Sequence, residues 1–337
     1  MFERYRTHIN TALRGALSSN DIAVYTMLKY YMGWVDKNNV PINATGGKFL
    51  RPTLCLFACE ATGGDVAKAM PAAAALELIH NFSLIHDDIQ DQDRTRHHRE
   101  TLWCLYGLPK ALTAGNVLRV LADTTLHNLQ TAGLSSSQAL KVIGLLTEAY
   151  LEMIEGQYLD ISYEARANVS LPQYLDMIKR KTGALIRCAL NMGALIGSNN
   201  PDIANGFRSI GESVGLIFQV RDDVLGVWGD ESLTGKPVGS DILRKKKAYP
   251  AVHALSEIQS FDKQTFLRIY EKQEDLTDSD ISQILKLMDI ANTKHSAEAM
   301  CRTHAQVAIN HSREVNLGRS FINELDDLIQ FLMIREY

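Results

Sequence analysis

At 337 residues the chain is long enough for one large core or two modest domains. Apolar residues make up 46% and charged residues 22%, as in ordinary globular proteins, and the longest apolar stretches, such as Met70 to Leu78, fall short of the roughly 20 residues a membrane span needs. A net charge of −4 supplies no general attraction to nucleic acid, and the start of the chain carries no basic segment followed by an apolar run, so no signal peptide and a cytoplasmic location are expected.

Apolar residues recur at helical spacing nearly throughout. Breaks fall at 61–65, at 133–137, at 197–202 and across 229–240, and the segments between them have the length of paired helices rather than strands. Pro71 is expected in the first turn of a helix running to about Asp91, where its missing N–H is harmless. Two further long helices are expected from Leu140 to Glu164 and from Phe207 to Val227. No repeat, low-complexity tract or long linker interrupts this pattern, so a single all-α domain over residues 1–337 is expected. Such bundles commonly hold metal sites between facing helices. The five cysteines include no CxxC pair and are odd in number, which favours reduced, buried thiols.

The first candidate site along the chain is Gly46-Gly47-Lys48-Phe49-Leu50-Arg51-Pro52. Glycines permit close approach to an anion, which Lys48 and Arg51 would neutralise. A helix start with solvated Lys and Arg is the plainer alternative. Next, His86-Asp87-Asp88-Ile89-Gln90-Asp91 sets Asp87 and Asp91 at i and i+4, on one helix face. They follow the apolar stretch Leu76 to Ile85, at the end of what should be a buried helix. Like charges about 6 Å apart repel by roughly 3 kcal/mol at an effective dielectric near 20, so a cation is needed. Oxygen-only ligands that leave most coordination positions open suit Mg²⁺.

Arg94, Arg96, His97, His98 and Arg99 follow within a turn or two. Gln219-Val220-Arg221-Asp222-Asp223 then repeats the acidic theme at the end of a second apolar helix. A lone acidic pair is usually a solvated helix face; two pairs, each ending a hydrophobic helix, favour a metal site. The alternating pattern of a calcium loop is absent, as is HxxxH or HExxH zinc spacing. Lys181-Thr182-Gly183, Thr234-Gly235-Lys236 and Lys245-Lys246-Lys247 supply further cations. Gly229 to Lys236 is not a nucleotide-binding P-loop, because Pro237 stands where a metal-binding Ser or Thr is required.

In their order along the chain these motifs, with Glu77 to Asp91, Gly156-Gln157, Gly229-Asp230 and Ser240-Asp241, resemble those of the trans-isoprenyl diphosphate synthases, the family of farnesyl and geranylgeranyl diphosphate synthases. The resemblance spans roughly residues 40 to 255. It implies a bundle of long antiparallel helices around a central cavity, a homodimer, and condensation of isopentenyl diphosphate with an allylic diphosphate. It implies three Mg²⁺ ions, two held by Asp87 and Asp91 and the third by Asp222, with Asp88 and Asp223 as supporting carboxylates. Arg96, Lys181, Thr182, Gln219, Lys236 and Lys246 match positions around the allylic diphosphate; Lys48, Arg51 and His80 match the isopentenyl diphosphate pocket. Phe82 and Ser83, five and four residues before Asp87, match positions that govern product length. One aromatic at the fifth position resembles the geranylgeranyl type of twenty carbons, with the fifteen-carbon farnesyl product next and a twenty-five-carbon product a further alternative.

The chain departs from the family pattern at three places. Gly226 stands where the second motif usually ends in Asp, Arg96-His97 replaces a pair of arginines, and Arg99-Glu100-Thr101 replaces Arg-Pro-Thr. A histidine is only partly charged at neutral pH, so His97 should hold the acceptor diphosphate less well than Arg would. These departures keep open a class I terpene cyclase on the same scaffold, although a cyclase has no use for Lys48, Arg51 and His80. A non-catalytic partner subunit of a prenyl synthase is a further alternative, against which stand the retained Asp87, Asp88, Asp91, Asp222 and Asp223.

Overall fold

The computed structural model describes residues 1–18, 22–42, 47–166, 168–230, 238–315 and 317–334. Helices dominate it: α1 (Phe2–Ala16), α2 (Ala23–Tyr31), α3 (Leu50–Ala61), α4 (Val66–Gln90), α5 (Leu102–Tyr106), α6 (Leu108–Leu126), α7 (Asn128–Thr131), α8 (Ser136–Glu164) and α9 (Leu171–Ile178). A π-helical turn, Lys179–Gly183, leads into α10 (Ala184–Ser198) and α11 (Pro201–Trp228). After these come α12 (Ser240–Leu243), α13 (Tyr249–Glu257), α14 (Ser260–Tyr270), α15 (Asp278–Ile290), α16 (Thr293–Glu314) and α17 (Arg319–Ile334). The paired strands among the described residues form one hairpin, β1 (Thr95–Arg96) with β2 (Arg99–Glu100), in antiparallel register. The all-α class expected from periodicity is therefore what the chain adopts.

Two compact units divide the chain: residues 1–148 with 188–208, and residues 149–187 with 209–337. In the first, α4 packs between α3 and α6. Its run Ala72 to Ile79 is buried on every side, the signature of a central helix. The second half of α10 also belongs to this unit and meets α3 without side chains between them. A methyl group added at Gly193 would lie 2.0 Å from the carbonyl oxygen of Cys55. In the second unit Val227, Ile242, Leu255, Phe266, Ile284 and Met288 lie in one buried cluster.

Three expected helix starts move earlier. Helix α8 begins at Ser136 rather than Leu140, and α11 at Pro201 rather than Phe207. Helix α4 begins at Val66 rather than Pro71, because the Asp65 side chain accepts a hydrogen bond from the Ala67 N–H at 2.9 Å and caps the helix early. Pro71 then lies inside the helix. No described helix is long and apolar enough to cross a membrane. All five cysteines are free thiols; Cys55, Cys59, Cys188 and Cys301 are buried, and burial lifts the Cys59 thiol to about 12.

Candidate active site

In the first unit the acidic cluster forms the C-terminal end of α4. The Asp91 N–H donates to the Asp87 carbonyl at 2.8 Å and closes the last turn, so Asp87 and Asp91 share one face. Asp91 is exposed and Asp87 half-buried. Asp88 points elsewhere and is buried; its Oδ1 accepts from Arg96 Nε at 2.7 Å. Burial raises the Asp88 carboxyl to about 6 despite the Arg96 charge. Asp88 Oδ2 and the Tyr31 hydroxyl are both buried without a hydrogen-bond partner, and the charges of Arg96, Asp88 and Asp87 all act on Tyr31. Orphaned polar atoms beside paired carboxylates are the kind that a hydrated ion satisfies.

Arg96 is positioned by the hairpin, which is tied down at its base. The Arg99 guanidinium donates to the carbonyls of Tyr30 and Val35, both at 2.8 Å, and lies 4.0 Å from the Tyr30 ring centroid. The Tyr30 hydroxyl donates to the Glu100 carbonyl at 2.9 Å. Thr101 Oγ1 and Trp103 Nε1 each donate to the Asp93 carbonyl at 2.8 Å. His97 and His98 turn the corner with φ of 49° and 60° and are exposed.

Farther up α4, His80 is half-buried, and burial together with the charges of Arg51 and Arg96 holds its imidazole well below the usual range. Arg51 is buried with Nε unpartnered. Burial raises the neighbouring Glu77 carboxyl to about 7, while Arg51 and the Asn81 side chain oppose the rise. The structure thus brings Arg51 and His80 together and leaves Lys48 exposed just before α3. Phe82 is buried, its ring 4.4 Å from that of His86, and Ser83 Oγ donates to the His80 carbonyl at 2.8 Å.

In the second unit a hydrogen-bonded chain runs from Thr182 to Asp223. Thr182 Oγ1 donates to Gln219 Oε1 at 2.6 Å, and Gln219 Nε2 donates to Asp223 Oδ1 at 2.7 Å. Asp223 Oδ2 accepts from the Tyr174 hydroxyl at 2.5 Å and from the Tyr249 N–H at 2.8 Å. Burial raises the Asp223 carboxyl to about 7, and these three donors act against the rise. Asp222, its neighbour, is exposed.

Lys181 sits in the π-helical turn, a distortion frequent at functional sites. Its Nζ lies 2.5 Å from Asp160 Oδ2. Gly156 lets α8 approach this turn; a methyl group there would lie 2.2 Å from the Lys181 backbone nitrogen.

Of the basic triplet, Lys245 Nζ donates to the Glu274 carbonyl at 3.2 Å and also to that of Lys272, and Lys247 Nζ lies 5.0 Å from the Tyr270 ring centroid. Lys246 is exposed. Lys236 lies outside the described residues, as does Gly46. Tyr174, Tyr249 and Asp160 carry no motif along the chain, since their partners are distant in sequence. Only Asp160 had a local hint, standing one helical turn after Gly156.

Among the described residues no group of three or more His, Cys, Asp or Glu side chains converges on one point. The Asp87 and Asp91 pair on one helix face is a donor set of the kind that suits Mg²⁺, which retains waters and takes phosphate oxygens.

The fold and these residues define an all-α protein in which two long helices carry carboxylate pairs in their last two turns, flanked by cations. A family model described as polyprenyl synthetase matches residues 34–288, and the chain belongs to that family. It is 32% identical over 330 residues to a (2E,6E)-farnesyl diphosphate synthase of Mycobacterium bovis, covering 97% of this chain and 90% of that one. It is 34% identical over 309 residues to a geranylgeranyl diphosphate synthase of Mycobacterium tuberculosis, covering 92% and 87%. Among solved structures, a polyprenyl synthetase from Streptomyces coelicolor superposes with a TM-score of 0.91 at 32% identity, covering 98% of each chain.

Proposed function

We propose that this chain is a Mg²⁺-dependent trans-prenyltransferase that condenses isopentenyl diphosphate with an allylic diphosphate, working as one polyprenyl synthetase domain. The observation that carries this is a division of labour repeated in each acidic cluster. One carboxylate is buried and fixed by protein donors: Asp88 by Arg96, Asp223 by Tyr174, Gln219 and Tyr249. Its neighbours Asp91 and Asp222 are exposed. The buried member sets the direction of the helix, and the exposed members would face the ion.

Bound Mg²⁺ would neutralise the allylic diphosphate as it departs, with Asp87, Asp91 and Asp222 as its protein ligands and three ions in all. Arg96, Lys181 and Lys246 add positive charge, and Thr182 and Gln219 are held in one hydrogen-bonded line beside Lys181. Arg51 and a neutral His80 would bind the acceptor diphosphate as donors. Glu77, raised to about 7, can be protonated there and so lessen its repulsion of that anion. Phe82 would set product length, with geranylgeranyl diphosphate as the product and farnesyl diphosphate as the alternative.

The protein would act as a cytoplasmic homodimer. On α8, Leu151, Ile154, Tyr158 and Ile161 are all exposed and recur at helical spacing, an apolar stripe suited to a second copy.

The test is incubation with Mg²⁺, isopentenyl diphosphate and each allylic diphosphate of five, ten and fifteen carbons. Products are identified by mass before and after dephosphorylation. A twenty-carbon diphosphate is expected. Release of a hydrocarbon from one diphosphate alone, or no product from any pair, would overturn the proposal.

A further inference from the structure

Beside the first acidic cluster one donor and one acceptor are left over. The Tyr31 hydroxyl and Asp88 Oδ2 are both buried, and neither has a hydrogen-bond partner among the described residues. Unmatched buried groups are costly, and folded proteins hold few of them. Arg96 is related to both. Its Nε donates to Asp88 Oδ1 at 2.7 Å, and its charge acts on Tyr31.

Tyr31 is the last residue of α2, and the chain fixes it there. The Gly33 N–H donates to the Tyr30 carbonyl at 2.9 Å and the Trp34 N–H to the Lys29 carbonyl at 3.0 Å. With Gly33 at a φ of 76°, these two bonds form a Schellman end. The Tyr30 carbonyl also accepts from Arg99, so the end of α2 is tied to the hairpin that carries Arg96. Tyr31 precedes residues 34–288, which the polyprenyl synthetase model matches, and no motif marks it.

The Arg96 side chain keeps 28% of its surface exposed and that of Asp88 only 2%. The guanidinium thus has an open side, whereas the carboxylate cannot follow it outward. An arginine that turns to a phosphate oxygen leaves Asp88 short of its donor. We propose that Tyr31 is a positioning residue that takes over this bond: when Arg96 turns to a bound diphosphate, the Tyr31 hydroxyl donates to Asp88 in its place. The exchange keeps Asp88 anchored, and with it the end of α4 that presents Asp87 and Asp91. The diphosphate as trigger rests on the prenyl-transfer function proposed above.

The experiment reads thermal unfolding of the ligand-free protein and, separately, Mn²⁺ binding in the presence of inorganic pyrophosphate. Free Mn²⁺ is followed by electron paramagnetic resonance. Tyr31→Phe removes only the hydroxyl. It should leave the ligand-free melting temperature unchanged or higher, because no bond is lost. It should nevertheless weaken pyrophosphate-dependent Mn²⁺ binding by about tenfold, the worth of one hydrogen bond to a charged group. Arg96→Met supplies an arm that needs no ligand, since it takes the guanidinium away from Asp88. Tyr31→Phe made in that background should now lower the melting temperature. A merely structural tyrosine would lower it in both backgrounds. A lower melting temperature for Tyr31→Phe alone, no loss when it is added to Arg96→Met, or unchanged Mn²⁺ binding would each overturn the inference. If the unsubstituted chain binds no Mn²⁺ with pyrophosphate, the prenyl-transfer function fails, and the melting arm alone decides whether Tyr31 replaces Arg96 at Asp88.

Discussion

The phenol of Tyr174 donates a 2.5 Å hydrogen bond to the carboxylate of Asp223, joining α9 to α11 inside the second unit. Both groups are buried, and Asp223 also accepts from Gln219 and from the Tyr249 backbone. The bond therefore fixes the end of α11, and with it the direction in which Asp222 faces.

Tyr174→Phe should lower the unfolding free energy by about 1.5–3 kcal/mol when Asp223 is ionised, the usual worth of a hydrogen bond to a charged group. Burial puts the Asp223 carboxyl at about 7, so it is largely protonated at pH 6 and largely ionised at pH 8. The ionised form has the greater need of donors. Urea unfolding of both proteins at the two pH values should show the larger loss at pH 8. Equal losses would mean that Asp223 does not titrate in this range.

Gly156→Ala should damage catalysis more than folding. The new methyl group meets backbone, 2.2 Å from the nitrogen of Lys181 and 2.6 Å from its Cα, and cannot be relieved by a side-chain rotation. Overpacking of this type costs about 1–3 kcal/mol. The shift it forces moves Lys181 away from its place, and displacement of a charge-stabilising group by about 1 Å can reduce turnover about 100-fold. Steady-state kinetics beside a melting curve would check this; a variant that turns over normally would detach Lys181 from the reaction.

The hairpin offers two separable changes. His98 holds φ at 60°, a conformation that costs a side-chain-bearing residue about 1 kcal/mol or more and glycine little. His98→Gly should consequently raise stability by about 0.5–1 kcal/mol, readable as a higher urea midpoint with an unchanged slope. His97→Arg instead replaces an imidazole with a permanent cation. It should lower the Michaelis constant for isopentenyl diphosphate without changing that for the allylic partner. A constant that stays level or rises would remove His97 from acceptor binding.

What could be read from residues alone follows the range over which each interaction acts. Asp87 and Asp91 were visible because both their spacing and the apolar run before them are local, and α4 keeps that register to its end. The helical breaks at 61–65 and 197–202 were visible for the same reason. Helix α4 started earlier than its proline suggested, since the single Asp65 cap outweighs the preference of proline for a first turn. The partners of Asp223 were hidden: Tyr174 lies 49 residues away and Tyr249 lies 26 away, so no periodicity connects them. The two-residue strands of the hairpin are too short to show alternation, and its corner carries His97 and His98 where an Asn-Gly signal would have marked it. Gly226 could be noticed as a missing carboxylate, but that Asp241 packs against it emerges only when α12 is folded onto α11.

The start of α15 should govern part of the response to acid. Asp280 Oδ1 lies 2.6 Å from Lys272 Nζ, and Oδ2 accepts from the Thr277 N–H at 3.0 Å and from its hydroxyl at 2.8 Å. With the Asp280 N–H returning to Thr277 Oγ1 at 3.2 Å, this is a reciprocal cap. The Lys272 bond first, and the Thr277 bonds after it, hold the Asp280 carboxyl down at about 2, below its ordinary 3.8. A group depressed in the folded state stabilises fully above its unfolded value, and that contribution disappears as pH falls from about 4 toward 2. Melting temperatures taken across pH 2 to 6 should accordingly drop more steeply below pH 4 in the unsubstituted protein than in Asp280→Asn. The variant should also melt lower at pH 6, where the bonds are intact in the parent. Lys272→Met should reproduce most of the flattening while leaving the Thr277 cap in place, because the lysine is the largest single cause of the shift. Parallel curves for all three proteins would show that the cap, though formed, does not couple protonation to folding.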